Sequence, residues 1–277
     1  MNKSTTLICA ISLLIAAACD RQTGNLAPQQ VTIMAFNVEN LFDNADDPGK
    51  DDKAFLKLAD KQNDAHRAEC GLIEVDRWRE QCLSWDWNDA LIDRKLTVVA
   101  ESILQVNDGR GPDIVALQEI ENLSILERLR RDYLADAAYG PPILIEGDDA
   151  RGIDVAFLAR LDVVGDPALH PLQLDPAFAD RAGDVRGILQ VDFRLPDGGV
   201  LTGFSVHFPA PFHPTAMRVQ AYEQLTGLLA ALPPDRPAFA AGDFNTTHAE
   251  DQREGMLDDF ARPHWLVSTD LCAGCRG

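Results

Sequence analysis

Basic residues are scarce in this chain: 25 Lys and Arg stand against 44 Asp and Glu over 277 residues, a net charge of −19. Tight binding along a duplex draws much of its affinity from basic side chains that neutralise phosphates, so this balance excludes a long nucleic-acid footprint and leaves room only for a locally basic cleft. A bilayer-spanning run is also missing, because the apolar stretch from Leu7 to Ala18 falls short of the ~20 residues that a membrane-crossing helix needs. Cys272 and Cys275 form a CxxC pair, but no second CxxC and no close His pair completes a zinc site around them. Internal repeats and low-complexity segments are absent too. A hydrophobic fraction of 46% excludes an intrinsically disordered chain and suits one large domain with a sizeable core.

What is present begins with an export signal. Lys3 precedes the apolar run, and small residues follow it up to Cys19, so residues 1–18 read as a signal peptide. Ala16-Ala17-Ala18-Cys19 resembles a bacterial lipobox with alanine in place of the usual leucine, which implies a lipid on Cys19. Ordinary signal-peptidase cleavage and a spectator cysteine are the alternatives. Residues 19–30 then form a polar linker to a domain spanning 31–277. The expected location is the cell envelope, on the periplasmic side, lipid-anchored to a membrane or secreted, as a monomer. Of the remaining cysteines, Cys70 with Cys82 and Cys272 with Cys275 are two local pairs, and an oxidising compartment favours a disulfide in each.

Along the domain, "VTIMAFNV" (Val31 to Val38) is a β-rich apolar run, and residues 43–88 read as an insertion that decorates the fold rather than building it. The spacing of Leu91, Leu96, Val99, Ala100, Ile103 and Leu104 predicts a helix, which feeds a buried strand in "PDIVALQE". A helix from Leu123 to Leu134, strands near Ile143, at Ile153 to Leu158, Gly187 to Leu195 and Val200 to Val206, and a helix from Pro214 to Leu232 follow. Pro214 suits a first helical position, where its missing N–H leaves nothing unpaired. The strand "PAFAA" comes last. Near-continuous apolar strands imply sheets covered on both faces, so the predicted fold is α/β, with two packed β-sheets flanked by helices and polar strand ends gathered on one rim.

Four polar clusters stand at those strand ends: Asn37-Val38-Glu39-Asn40, Gln118-Glu119, Ser205-Val206-His207 and Gly242-Asp243-Phe244-Asn245. Any one of them has an ordinary structural explanation in a solvated carboxylate, a satisfied histidine or a tight turn. Together they supply what metal-assisted phosphoester cleavage requires: hard carboxylate oxygens for Mg²⁺, a carboxylate to position or deprotonate water, amides to orient phosphate, and an imidazole to meet developing charge.

The segments "AFNVENLFD", "PDIVALQEIEN", "RGIDVAFLAR", "VRGILQVDF", "SVHFPAP" and "AAGDFNTT" occur in the order found in the endonuclease/exonuclease/phosphatase superfamily, and from Val31 to Asn245 the chain resembles a bacterial secreted or lipoprotein member. The resemblance implies a four-layer α/β sandwich and a metal-dependent hydrolase acting on phosphate esters, with Mg²⁺ as cofactor and Mn²⁺ as the alternative. Its substrate would be a nucleic acid, a nucleotide or a lipid headgroup. Residue by residue, Asn37 resembles the phosphate-orienting asparagine, Glu119 the principal metal ligand and Glu39 an acidic neighbour of the metal. His207 resembles the histidine on the scissile phosphate, and Asp243 and Asn245 the water-positioning aspartate and its partner. Arg186 is expected to bind phosphate in a fork. Asp154 is expected beside the site, with a purely structural hydrogen bond as the alternative. "WDWND" (Trp85 to Asp89) resembles a subgroup feature whose aromatics are either core or a substrate platform.

The chain departs from the superfamily after Asn245. The final strands with their Asp-His group are not found before Gly277, and His213, His248 and His264 are the remaining candidates for that histidine. The expectation is therefore a fold lacking its C-terminal strands, and either a nearly inactive hydrolase or a degenerate member that binds a phosphorylated ligand or a partner.

Overall fold

The protein is described by a computed structural model over residues 30–267. The signal segment, the linker with Cys19, and the Cys272 and Cys275 pair lie outside the described residues. Eight strands are present: β1 (Ile33–Leu41), β2 (Ile114–Ile120), β3 (Ile143–Leu144), β4 (Asp154–Ala159), β5 (Ala168–His170), β6 (Ile188–Arg194), β7 (Val200–His207) and β8 (Ala238–Asp243). Six α-helices accompany them: α1 (Asp64–Gly71), α2 (Asp76–Ser84), α3 (Asp89–Leu104), α4 (Leu123–Arg128), α5 (Thr215–Ala230) and α6 (His248–Glu254).

The strands form two four-stranded sheets, ordered β1-β2-β4-β3 and β5-β6-β7-β8. Each sheet holds one parallel pair, β1 with β2 and β7 with β8, and its other pairings are antiparallel. Parallel neighbours need a crossover connection, which α3 and α5 supply. The parallel strands therefore end in the same direction within each pair, and β1 packs against β8 across the sheets.

Strand alternation explains the layering. In β2, Ile114 and Ala116 join Val155 and Phe157 of β4 and Leu189, Val191 and Phe193 of β6 in a core between the sheets. The intervening Val115 and Leu117 pack with Ile92, Leu96, Val99 and Ile103 of α3. On the far side, Phe204 and Val206 of β7 meet Ala221, Tyr222 and Leu225 of α5. Every central strand thus buries both faces, and its sequence reads as an unbroken apolar run for that reason. The layers stack as helix, sheet, sheet, helix, the predicted sandwich.

Local signals set the element ends. Asn88 caps α3 by accepting a hydrogen bond from the Leu91 backbone N–H, and Asn122 caps α4 in the same way through Ile125. Pro214 differs from its expected place: with ψ at 135° it stands just outside α5 as the cap residue, and Thr215 is the first helical residue.

The insertion does more than decorate. Phe55, Trp85 and Trp87 pack with Phe42 at the foot of β1, with the Phe42 and Phe55 rings stacked 3.8 Å apart, so the aromatics of "WDWND" belong to the core. Trp87 donates its indole N–H to the Phe42 carbonyl. Lys61 is buried with its ammonium donating to the carbonyls of Ala54, Gln81 and Trp85, and burial lowers its pKa to about 8. A Cys70–Cys82 disulfide joins α1 to α2. His66 packs on it, but with both sulfurs bonded to each other this trio offers no thiolate to a metal.

Candidate active site

Asn37, Glu119, His207 and Asp243 come from the carboxyl ends of β1, β2, β7 and β8, the four parallel strands. Their approach depends on backbone geometry that sequence pattern does not show. Pairing of β1 with β2 is in register up to Asn37 opposite Gln118 and then shifts, and pairing of β2 with β4 shifts between Gln118 and Ile120. Glu39, Asn40 and Glu119 have φ of 57°, 64° and 65°, and Asn245 beyond β8 has 50°. These are four of the seven non-glycine residues with positive φ among the described residues. Such conformations cost about 1–3 kcal/mol each and persist where surrounding structure over-determines them. The bulge lets adjacent side chains serve the site differently: Gln118 donates to Ser205 Oγ across the sheets, while Glu119 turns to Asn37.

Gly242 explains the "AAGDFN" turn. Its φ is 149°, and a β-carbon there would lie 2.0 Å from the Val206 carbonyl oxygen, so β8 approaches β7 more closely than any side chain permits. Asp243 sits opposite His207 in the parallel pair. Its Oδ1 accepts from the Asn245 backbone N–H at 2.9 Å, and Asn245 Nδ2 donates to the Phe208 carbonyl at 2.9 Å. The loop after β8 is thereby tied to the loop after β7, leaving Asp243 Oδ2 facing the centre.

Asn37 links the two sheets there. Its Oδ1 accepts from the Glu39 backbone N–H, which fixes the amide's orientation. Nδ2 then donates to Glu119 Oε1 at 3.0 Å and to Asp243 Oδ2 at 3.2 Å. His207 Nε2 lies 3.8 Å from the same Glu119 oxygen and 3.9 Å from the same Asp243 oxygen.

Arg186 completes the group. It is buried, its Nη2 is 2.9 Å from His207 Nε2, and its Nη1 donates to Asp149 Oδ2 at 3.2 Å and to the Asp184 carbonyl at 3.0 Å. A guanidinium only donates, so His207 Nε2 accepts and the imidazole is neutral with its proton on Nδ1. Burial, then the charges of Arg186 and Arg151, push the His207 pKa down to about 2. The positive charge at the centre is therefore carried by Arg186 rather than by an imidazolium. The fork expected on phosphate spans Asp149 and His207 here, and Arg186 Nε and His207 Nδ1 are buried donors with no hydrogen-bond partner among the described residues.

The other expected residues fall nearby or outside. Glu39 is exposed, and its carbonyl accepts from Lys95 Nζ at 2.9 Å. Asp154 is buried and accepts from the Gly147 backbone N–H at 2.9 Å, with burial raising its pKa to about 7. That bond serves the turn before β4, the structural alternative. His248 and His264 are exposed, whereas His213 is buried beside Phe212 and feels the charge of Arg186. Three residues were not singled out from sequence: Asp149, which holds Arg186, and Arg151 and Lys95, whose charges reach His207 and Glu119 respectively. Arg151 lay inside the quoted "RGIDVAFLAR", and Asp149 two residues before it.

The donor set fits a hard divalent cation. Glu119 and Asp243 point carboxylate oxygens at one amide, are open to solvent to 15% and 33%, and form no ion pair with Lys or Arg among the described residues. Two carboxylates converging without a protein cation between them is an arrangement that Mg²⁺ stabilises, usually through one or two such ligands and several waters.

The chain belongs to the endonuclease/exonuclease/phosphatase family, whose model matches residues 85–275. That match takes in Glu119, Arg186, His207, Asp243 and Asn245. Among solved structures the chain is similar to SmcL, with 22% identity and a TM-score of 0.43 over 59% of this chain and 61% of that one. It is also similar to an endonuclease/exonuclease/phosphatase from Beutenbergia cavernae DSM 12333, with 20% identity and a TM-score of 0.43 over 59% of this chain and 48% of that one. Sphingomyelinase C from Streptomyces griseocarneus gives 20% identity and a TM-score of 0.43 over 59% and 62%. The chain thus spans less than two thirds of each of these proteins. No curated protein sequence matches it.

Proposed function

We propose that this chain is a divalent-metal-dependent phosphoesterase that hydrolyses a phosphodiester or phosphomonoester by in-line attack of water, with Mg²⁺ as the cation and Mn²⁺ as the alternative. The observation that carries this reading is the Asn37 amide held between Glu119 and Asp243, with the Arg186–His207 pair beside them. Glu119 would hold the cation, which when bound supplies a Lewis acid for the phosphoryl oxygens.

The chain's own groups do the rest. Asp243 Oδ2 orients the attacking water and takes its proton, while Oδ1 is held by the Asn245 N–H. Arg186 provides fixed positive charge for the phosphoryl oxygens in a largely desolvated position, where such charge acts most strongly. His207, neutral, fixes the guanidinium plane.

Hydrolysis of bis(p-nitrophenyl) phosphate by the full chain tests the proposal. Turnover with Mg²⁺ that EDTA abolishes and that Asp243→Ala lowers by on the order of 10²- to 10⁴-fold is expected. Turnover unaffected by EDTA or by Asp243→Ala would overturn it. We place the enzyme in the cell envelope, tethered through Cys19. Cys19→Ala should move the protein to the soluble fraction, and continued membrane association would count against the lipid.

A further inference from the structure

The turn before β4 carries an arginine that the reaction described above does not use. Arg151 is exposed, and its Nη1 sits 3.4 Å from Asn40 Oδ1, in the same bulge that follows Asn37. Its backbone N–H donates to Asp149 Oδ1 at 3.0 Å, while the other oxygen of Asp149 holds Arg186 at 3.2 Å. One buried carboxylate therefore sets the positions of both arginines, the inner one on His207 and the outer one at the rim. Gly152, with φ at 77°, and the Ile153 N–H on Asp149 close the turn.

The energetics of this pairing point outward. Arg151 is close enough to Arg186 to disfavour its charge, and it also disfavours a proton on His207. Arg151 forms no ion pair among the described residues, although the chain has 44 carboxylate side chains from which one could be drawn. Lys95 adds a third cation across the site, with its ammonium on the Glu39 carbonyl. Arg186 is paired with Asp149, whereas Arg151 and Lys95 form no ion pair among the described residues, and two such cations at one opening of an acidic protein create a local field for anions.

We propose that Arg151 binds a second phosphate of the substrate, next to the one that reacts, so that the substrate class is a phosphate ester carrying a further phosphate rather than a zwitterionic lipid headgroup. This deepens the phosphoesterase reading and rests on it. Arg186 sits at the reacting phosphate and Arg151 at its neighbour, where an exposed guanidinium can present two parallel N–H groups to phosphate oxygens. A choline headgroup would bring a quaternary cation towards Arg151 and Lys95, whereas such cations are recognised by aromatic faces. The neighbouring phosphate has two sources, a single-stranded oligonucleotide or a nucleoside polyphosphate.

The test compares Arg151→Ala and Arg151→Lys with the unaltered chain on bis(p-nitrophenyl) phosphate, a short single-stranded deoxyoligonucleotide, ADP and sphingomyelin vesicles. Arg151→Ala should raise KM for the oligonucleotide or for ADP several times more than for bis(p-nitrophenyl) phosphate, with Arg151→Lys between the two. The oligonucleotide and ADP arms distinguish the two sources. Binding of a fluorescein-labelled oligonucleotide in EDTA, followed by polarisation, reads the same contact without turnover. There the slope of log affinity against log salt should fall by about 0.7 for one lost contact to a single strand. Equal losses on all substrates, preferential hydrolysis of sphingomyelin, or unchanged oligonucleotide and ADP binding would overturn the role of Arg151. Absence of turnover on every substrate would sink the phosphoesterase reading alone, because the binding arm still judges Arg151.

Discussion

Arg186 and His207 are joined side chain to side chain, Nη2 to Nε2 at 2.9 Å, at the point where the two sheets meet. The bond assigns a tautomer to the histidine and a plane to the arginine. It also makes the pair sensitive to protonation, because an imidazolium would have no lone pair to offer the guanidinium.

His207 should therefore stay neutral through the physiological range. With its pKa held near 2 against an ordinary 6.5, the folded state resists a proton that the unfolded chain takes up. The stability this contributes is present above about pH 6.5 and is lost as pH falls towards 2, by up to about 1.4 kcal/mol per pH unit. Nitrogen-15 NMR of the imidazole should show an Nδ1–H tautomer that does not titrate between pH 5 and 8. A titration midpoint near 6.5 would contradict the Arg186 bond.

Glu119→Gln keeps the side-chain shape and an oxygen for Asn37 but removes the charge. Mg²⁺ affinity measured by titration calorimetry should fall at least roughly tenfold, with the thermal melt in EDTA little changed. Unchanged affinity would move the cation elsewhere.

Gly242→Ala inserts a methyl 2.0 Å from the Val206 carbonyl oxygen, a clash with backbone that no rotamer relieves. The strands must part or the turn must rotate, at on the order of 3 kcal/mol or more, a fall of roughly 10 °C in Tm. Because the strain falls between His207 and Asp243, activity should drop further than folding does at low temperature. Calorimetry with Tm unchanged would show that β8 can shift freely.

Glu121, two residues past Glu119, is 1% exposed, and its Oε1 has no hydrogen-bond partner among the described residues, while Oε2 accepts from the Asp43 backbone N–H. Burial, with the charges of Asp43, Asp47 and Asp52 added, raises its pKa to about 9. A raised carboxyl pKa gives stability that is complete below the unfolded value near 4.5 and is lost as pH rises towards 9. Glu121→Gln should gain on the unaltered chain steadily from pH 5 to 8 in urea unfolding. A constant difference between them would mean that the carboxyl ionises normally.

The strands were legible because burial on both faces leaves a near-continuous apolar run along β2 and β4 and through most of β7. Asn37, Glu119, His207 and Asp243 stood out for a complementary reason: each interrupts an apolar run at its end. β5, three residues long and partly exposed, has too little periodicity to show. The helices α1 and α2 are short and polar, held by a disulfide and by buried Lys61 rather than by an apolar stripe. The bulges at Glu39 and Glu119 are silent because non-glycine residues adopt the left-handed conformation there under tertiary constraint. Asp149, Arg151 and Lys95 look like ordinary surface charges until folding places them.

The mixed origin of the centre has a mechanical consequence. Asn37 and Glu119 belong to one sheet, His207 and Asp243 to the other, and the bonds between them span the seam. The proposed reaction would therefore depend on the alignment of the two sheets across the core of Ile114, Phe157 and Phe193. A slip of about an ångström, too small to alter either sheet, is enough to disengage the chemistry. In mild denaturant the enzyme should fall silent while its circular dichroism is still native.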